Sequence, residues 1–206
     1  MRIGGFEKQS FIDWEGKITA VIFTKGCNFR CRYCHNPELV YPNLFEQTED
    51  LPEDEIFDYL SSRVNWLDGV VISGGEPTLQ HDLKSFISRI KKMGYSVKLD
   101  TNGSAPELLE DLAKSNLTDC VAMDIKTIPD LEHYQHICAT EDPELLKKIK
   151  KSAGVLKRSG IDYQFRTTIV PGFHTNTMLM KLREEYSCCK YKLQEYREVH
   201  VASHPS

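Results

Sequence analysis

Ile18-Thr19-Ala20-Val21-Ile22-Phe23-Thr24-Lys25-Gly26-Cys27-Asn28-Phe29-Arg30-Cys31-Arg32-Tyr33-Cys34 is a β-branched, apolar run that ends directly in three closely spaced thiols. Ile18 to Phe23 has the make-up of a short strand. The thiols that follow stand in a C-x3-C-x2-C pattern on one tight loop, where three thiolates can hold three corners of a cubane iron–sulfur cluster. A ferredoxin run brings a fourth cysteine nearby, whereas the next one here is Cys120. The missing ligand leaves one iron open to a substrate or cofactor. The alternative is a structural zinc site with His35 as the fourth ligand of a Cys3His set.

Beyond this stretch the chain alternates between periods of two and 3.6. Gly69 to Ile72, Ser96 to Asp100, Cys120 to Asp124, Tyr163 to Val170 and Tyr191 to Tyr196 read as strands. Between them, Pro52 to Val64 carries Ile56, Leu60 and Val64 on one helical face, and Asp82 to Met93 carries Leu83, Phe86, Ile87 and Ile90. Pro106 to Lys114, a long helix opened by Asp142-Pro143 with Asp142 as its cap, and Thr175 to Tyr186 complete the set. Strands alternating with helices predict βα units and a parallel sheet. About six units are present, short of the eight of a closed barrel. The expected fold is α/β, a partial (β/α)6 TIM-like barrel. Its core spans 18–197, with 1–17 as an extra hairpin or edge segment turning at Asp13-Trp14-Glu15-Gly16, and 1–206 forms a single domain.

Composition narrows the function. The 206 residues carry a net charge of -4, which argues against a general nucleic-acid coat or a binder of anionic membranes. No apolar run approaches a bilayer span and Met1 to Lys8 has no signal core, so a soluble, cytoplasmic protein is expected. Seven cysteines, three of them within eight residues, make a poor disulfide framework and point to metal or redox chemistry in a reducing compartment.

Two further signals sit at strand ends. Ser73-Gly74-Gly75-Glu76-Pro77 follows the second core strand, where two glycines let backbone approach a ligand closely and Glu76 adds a carboxylate. The next strands end in Asp100-Thr101-Asn102-Gly103 and Asp124-Ile125-Lys126, and Arg166 lies in the fifth. Polar groups at the C-terminal ends of successive parallel strands converge on one mouth, the place where βα barrels keep their active sites.

The Cys loop with Tyr33 before its last cysteine, together with Gly74-Gly75-Glu76-Pro77, resembles the radical S-adenosylmethionine enzymes, and within them the glycyl-radical-enzyme activating proteins. Ile3-Gly4-Gly5-Phe6, Ser10-Phe11-Ile12-Asp13, Gly16-Lys17-Ile18, Phe23-Thr24-Lys25-Gly26-Cys27 and Tyr33-Cys34-His35-Asn36-Pro37-Glu38 are similar to anaerobic ribonucleoside-triphosphate reductase activating proteins. The resemblance runs to about Arg197 and includes Val170-Pro171-Gly172. It implies that Cys27, Cys31 and Cys34 ligate a [4Fe–4S] cluster whose fourth iron is chelated by S-adenosylmethionine. It implies that Tyr33 lies against the adenine, with His35 and Ser73 also at the cofactor. The Gly74-Gly75-Glu76 backbone and carboxylate would hold the methionine amino group. Asp100, Asn102, Asp124, Lys126 and Arg166 would bind cofactor polar groups, with a monovalent cation between the Asp100 and Asp124 carboxylates. The implied reaction cleaves the cofactor to methionine and a 5′-deoxyadenosyl radical, which takes hydrogen from a glycine of the reductase large subunit. A flavodoxin or ferredoxin-type donor would supply the electron.

Alternatives are an activase of the pyruvate formate-lyase type, a small-molecule enzyme such as a deazapurine synthase, and a non-catalytic zinc module. No cysteine lies between Cys34 and Cys120, which excludes a cysteine-rich ferredoxin-like insert there. His174, His200 and His204 are candidates for a late histidine near the cofactor. His133, His136 and Cys138 have no standard metal spacing. Cys120 reads as a core residue and Cys188-Cys189 as incidental.

Overall fold

The computed structural model describes residues 1–196. Seven strands form one sheet in chain order: β1 (Ile3–Ser10), β2 (Thr19–Thr24), β3 (Gly69–Gly74), β4 (Ser96–Thr101), β5 (Cys120–Asp124), β6 (Asp162–Ile169) and β7 (Tyr191–Glu195). The strands β2 to β7 are parallel, in register from Thr19 opposite Gly69 through to Ile169 opposite Glu195. Each crossover therefore steps to the next neighbour, which is the winding of a βα barrel. Among the described residues β1 and β7 remain edges, so the sheet is not closed. The expected partial barrel of six parallel strands is present, and the N-terminal segment adds β1 as an antiparallel edge on β2.

The helices are α1 (Pro37–Val40), α2 (Pro42–Phe45), α3 (Glu53–Ser61), α4 (Leu83–Lys92), α5 (Pro106–Lys114), α6 (Leu131–Cys138), α7 (Leu145–Arg158) and α8 (Asn176–Glu185). Period two along the strands separates two environments. Val70, Ile72, Val97, Leu99, Val121, Met123 and Phe165 face outward into one core with Phe86, Ile87, Ile90, Leu112 and Leu156 from the helices. Lys98 and Asp100 on β4, Gln164 and Arg166 on β6, and Lys192 and Gln194 on β7 line the cavity on the opposite face. The turn between β1 and β2 closes the lower end of that cavity, where the Asp13 carbonyl accepts from the Lys98 ammonium.

Several boundaries differ from the sequence reading. α3 stops at Ser61, so Ile56 and Leu60 are buried while Val64 is 45% exposed in the turns leading to β3. Asp142 does not cap α7. Its Oδ1 accepts from the Glu144 N–H at 2.9 Å and its Oδ2 pairs with Lys148 at 2.6 Å, making a turn ahead of a helix that begins at Leu145. α1, α2 and α6 were not anticipated. α6 is capped by Asp130, which accepts from the His133 N–H at 3.0 Å. Among the described residues no helix is long and apolar enough to cross a membrane. His200, His204 and the end of the barrel span at 197 lie outside the described residues.

Candidate active site

The cysteine loop leaves the end of β2 and is tied down at both flanks. The Gly26 N–H donates to the Leu39 carbonyl at 2.7 Å, and the Arg30 N–H donates to the Cys138 carbonyl, also at 2.7 Å. Lys25 is 1% exposed, and its ammonium reaches the carbonyls of Thr48 (2.7 Å) and Glu49 (3.0 Å) and the Asp50 carboxylate (2.8 Å). With all three of its N–H bonds matched, this buried cation fastens the 48–50 segment to the root of the loop.

Cys27, Cys31 and Cys34 are free thiols facing one cavity. The Phe29 N–H approaches the Cys27 sulfur at 3.4 Å, and Asn102 Nδ2 lies 4.0 Å from it while donating to Asn28 Oδ1 at 2.9 Å. Burial, with the charge of Glu76 adding to it, pushes the Cys27 thiol up to about 12. Burial raises Cys34 as well. Cys31 moves the other way, to about 7, because the Cys138 thiol hydrogen-bonds it, with Lys126 and the Tyr33 hydroxyl assisting against burial.

At the end of β3, Gly74 has φ +107°, a conformation that disfavours any side chain, and a Cβ on Gly75 would run into the Gly26 carbonyl. The two loops thus meet backbone to backbone. Glu76 is fully buried, and its carboxylate turns into the protein. Oε1 accepts from the Thr78 N–H (3.1 Å), the Thr78 hydroxyl (2.5 Å) and the Thr101 hydroxyl (2.7 Å), while Oε2 accepts from the Asn102 N–H at 2.6 Å. Burial raises its carboxyl above the ordinary range, against these four donors. These bonds brace the end of β3 to the end of β4.

Deeper in the cavity the charges form a chain. Lys98 lies 3.4 Å from Asp100 Oδ1, Arg166 Nη2 3.1 Å from Asp100 Oδ2, Arg166 Nε 2.6 Å from Asp124 Oδ1, and Lys126 2.9 Å from Asp124 Oδ2. Burial opposes the charge on Asp124, but Arg166 and Lys126 outweigh it and hold the carboxyl well below the usual carboxylate range. The same partners overcome burial to hold Arg166 and Lys126 above their ordinary values. The position between the two carboxylates, where the resemblance implied a monovalent cation, is spanned by the Arg166 guanidinium. His174 accepts from the Val170 N–H through Nδ1 at 2.9 Å, so its Nε2–H donates to the Lys126 carbonyl at 3.0 Å. It splices the loop after β6 onto the loop after β5.

Every site residue selected from the sequence lines this cavity of about 800 Å³, which lies in the ~300–1,000 Å³ range of small-molecule sites. His133 and His136 instead pack around Phe173. Among the described residues no three His, Cys, Asp or Glu side chains converge on one point as a mononuclear metal requires. Sequence reasoning missed Lys25, Lys98, Gln164, Thr168, Lys192 and Gln194. For all but Lys25 the signal was present as the i, i+2 spacing of polar residues along β4, β6 and β7. Asp100 Oδ1 is buried with only the Lys98 ammonium, 3.4 Å away, beside it, and the Gly74-Gly75 cradle has no side chains to fill it. A close backbone approach and three free thiols on one wall fit a cluster-bound nucleoside cofactor.

A family model described as the Radical SAM superfamily matches residues 21–182. The chain belongs to the radical SAM superfamily. Membership brings a [4Fe–4S] cluster and S-adenosylmethionine as its cofactors, and it sets aside the zinc-module reading, including His35 as a zinc ligand. The radical SAM chain is 39% identical over 170 residues to a Methanocaldococcus jannaschii protein named as a glycyl-radical enzyme activating enzyme, covering 82% of this chain and 68% of the relative. It is 35% identical over 179 residues to the pyruvate formate-lyase-activating enzyme of Streptococcus mutans, covering 82% of this chain and 65% of that enzyme. The chain thus spans about two thirds of the length of these relatives. A radical SAM methyltransferase from Sphaerobacter thermophilus shares the fold with a TM-score of 0.66 at 15% identity, over 94% of this chain and 60% of that one.

Proposed function

We propose that this protein is an activase that installs a glycyl radical on an anaerobic ribonucleoside-triphosphate reductase. The observation that carries this reading is the convergence of the cysteine loop, the Gly74-Gly75 backbone and the Asp100–Arg166–Asp124–Lys126 chain on one mouth of an unclosed sheet. An open edge leaves room for a protein loop to enter, which a closed barrel around a small molecule would not need. The reductase is favoured as the target by the similarity of the N-terminal stretch and by the absence of cysteines between Cys34 and Cys120.

In this reading Cys27, Cys31 and Cys34 hold the cluster, and the Ser73 to Gly75 backbone and Asn102 face the methionine end of the cofactor. Tyr33 and His35 flank the adenine. Asp100 faces a ribose hydroxyl, while Arg166 fixes both carboxylates and, with Lys126, keeps Asp124 ionised. Bound there, the cluster and S-adenosylmethionine supply one-electron chemistry that removes hydrogen from carbon, fed by a flavodoxin or ferredoxin-type donor. The chain's own task is to orient these groups and keep water away from them.

The test mixes reconstituted protein, reductant and S-adenosylmethionine with the reductase and, separately, with pyruvate formate-lyase. A glycyl radical on the reductase by electron paramagnetic resonance, absent when its radical glycine is replaced by alanine, is the expected result. A radical only on the lyase would keep the activase and replace its target. Turnover of a small molecule with no protein radical would discard both.

A further inference from the structure

The turn that joins α8 to β7 contains two adjacent cysteines. Adjacency in the chain alone leaves Cys188 and Cys189 incidental, but the structure brings their sulfurs within 3.7 Å of one another. Both are free thiols, Cys188 exposed and Cys189 half-buried. The pair is held on both flanks. The Cys189 N–H donates to the Tyr186 carbonyl at 3.0 Å, and the carbonyl of the next residue, Lys190, accepts from the Phe165 N–H of β6 at 2.8 Å. These thiols stand where β7 begins, whereas the cysteine loop leaves the far end of the parallel strands, and neither of them lines the cavity.

We propose that Cys188 and Cys189 form a reversible redox site, a dithiol that a small-molecule disulfide such as oxidised glutathione closes to a disulfide and that thiols reopen. The exposed Cys188 sulfur attacks first, bonding to one glutathione sulfur while the other leaves as a thiol. The Cys189 sulfur then attacks the Cys188 sulfur and displaces the second glutathione. Two protein thiols lose two electrons and two protons, and the glutathione disulfide takes them up as two thiols. Covalent geometry makes the product labile. Consecutive Cα atoms lie ~3.8 Å apart, whereas ordinary disulfides span about 4.4–6.8 Å. A bond between neighbours is therefore strained and easily reduced, the mark of a switchable rather than a structural disulfide. The step involves neither the cluster nor the target protein.

Reconstituted protein is treated anaerobically with excess oxidised glutathione, quenched with iodoacetamide and digested with trypsin. Cleavage after Arg183 and Lys190 releases Glu184–Lys190, which carries both thiols and no other cysteine. The expected peptide has lost two hydrogen atoms and takes no alkylation, and prior treatment with reduced glutathione restores two alkylated cysteines. Cys189→Ser, which lacks the resolving thiol, should instead retain one glutathione on Cys188. A wild-type peptide that keeps a stable glutathione adduct, or that stays fully alkylated in excess oxidant, would overturn the proposal. So would a disulfide joining two copies of the chain, or one that reduced glutathione cannot reopen.

Discussion

Glu76 illustrates how one carboxylate can belong to a ligand-binding motif and yet serve the fold. Four donors from Thr78, Thr101 and Asn102 converge on it in a fully buried position. In Glu76→Gln the carbonyl oxygen can keep the three Oε1 contacts, but the amide NH2 then faces the Asn102 N–H, donor against donor. Leaving that pair unsatisfied costs roughly 1–3 kcal/mol. A lowered thermal midpoint of the apoprotein is expected, and a midpoint equal to wild type would refute the brace. Asp124 yields a prediction in pH. Its folded-state carboxyl sits below the ordinary value, so its stabilising effect is fully present above about pH 4 and is lost as pH falls through the folded value. Asp124→Asn should be less stable at neutral pH and show a shallower decline in acid. Urea midpoints that run parallel for the two proteins between pH 7 and pH 3 would contradict this.

At the level of elements, the site depends on loops touching through bare backbone. In Gly75→Ala the new methyl group meets the Gly26 carbonyl, so the end of β3 must move away from the root of the cysteine loop. Such overpacking costs about 1–3 kcal/mol, and the displaced wall should weaken S-adenosylmethionine binding at least about tenfold, since each 1.4 kcal/mol is a factor of ten. Equilibrium dialysis with cluster content held equal checks this, and unchanged affinity would show the contact to be slack. Two elements were legible in the sequence to their exact bounds. α5 and β5 have the expected bounds because Pro106 opens the helix and because β5 is short and sharply bounded. α6 was not legible, since Leu131, Tyr134 and Ile137 are spaced among His, Glu and Gln and its cap, Asp130, follows a proline turn. The strand-end polar residues were readable as a set because parallel strands must deliver them to one mouth. Their partners were not. Arg166 bridging Asp100 and Asp124, or the Cys138 carbonyl holding the Arg30 N–H, joins residues far apart in the chain, and no local pattern encodes that distance.

Among the described residues the molecule is a sheet wound in one direction and left open, with β1 on one edge and β7 on the other. Its lower end is occupied by the β1–β2 turn through Asp13 and Lys98, so among the described residues entry to the cofactor mouth is from the upper end or past β7. Lys192 and Gln194 of β7, with Gln164 and Thr168 of β6, line that side. A site this open admits water, and chemistry that forms a carbon radical needs water and stray reductant kept out. In the proposed function the target loop itself completes the enclosure, as closing elements do in other enzymes. Cofactor cleavage by the isolated protein with reductant should therefore be slow, and the target should accelerate it by about tenfold or more, a barrier change of ~1.4 kcal/mol. Acceleration by closure does not require hydrogen transfer. A target whose radical glycine is replaced by alanine still docks, so it should accelerate 5′-deoxyadenosine formation while giving no protein radical. Cleavage that is equally fast with and without target would show that the open side needs no partner to close it. Acceleration by the native target alone would place the effect in the hydrogen-transfer step rather than in the shape of the molecule.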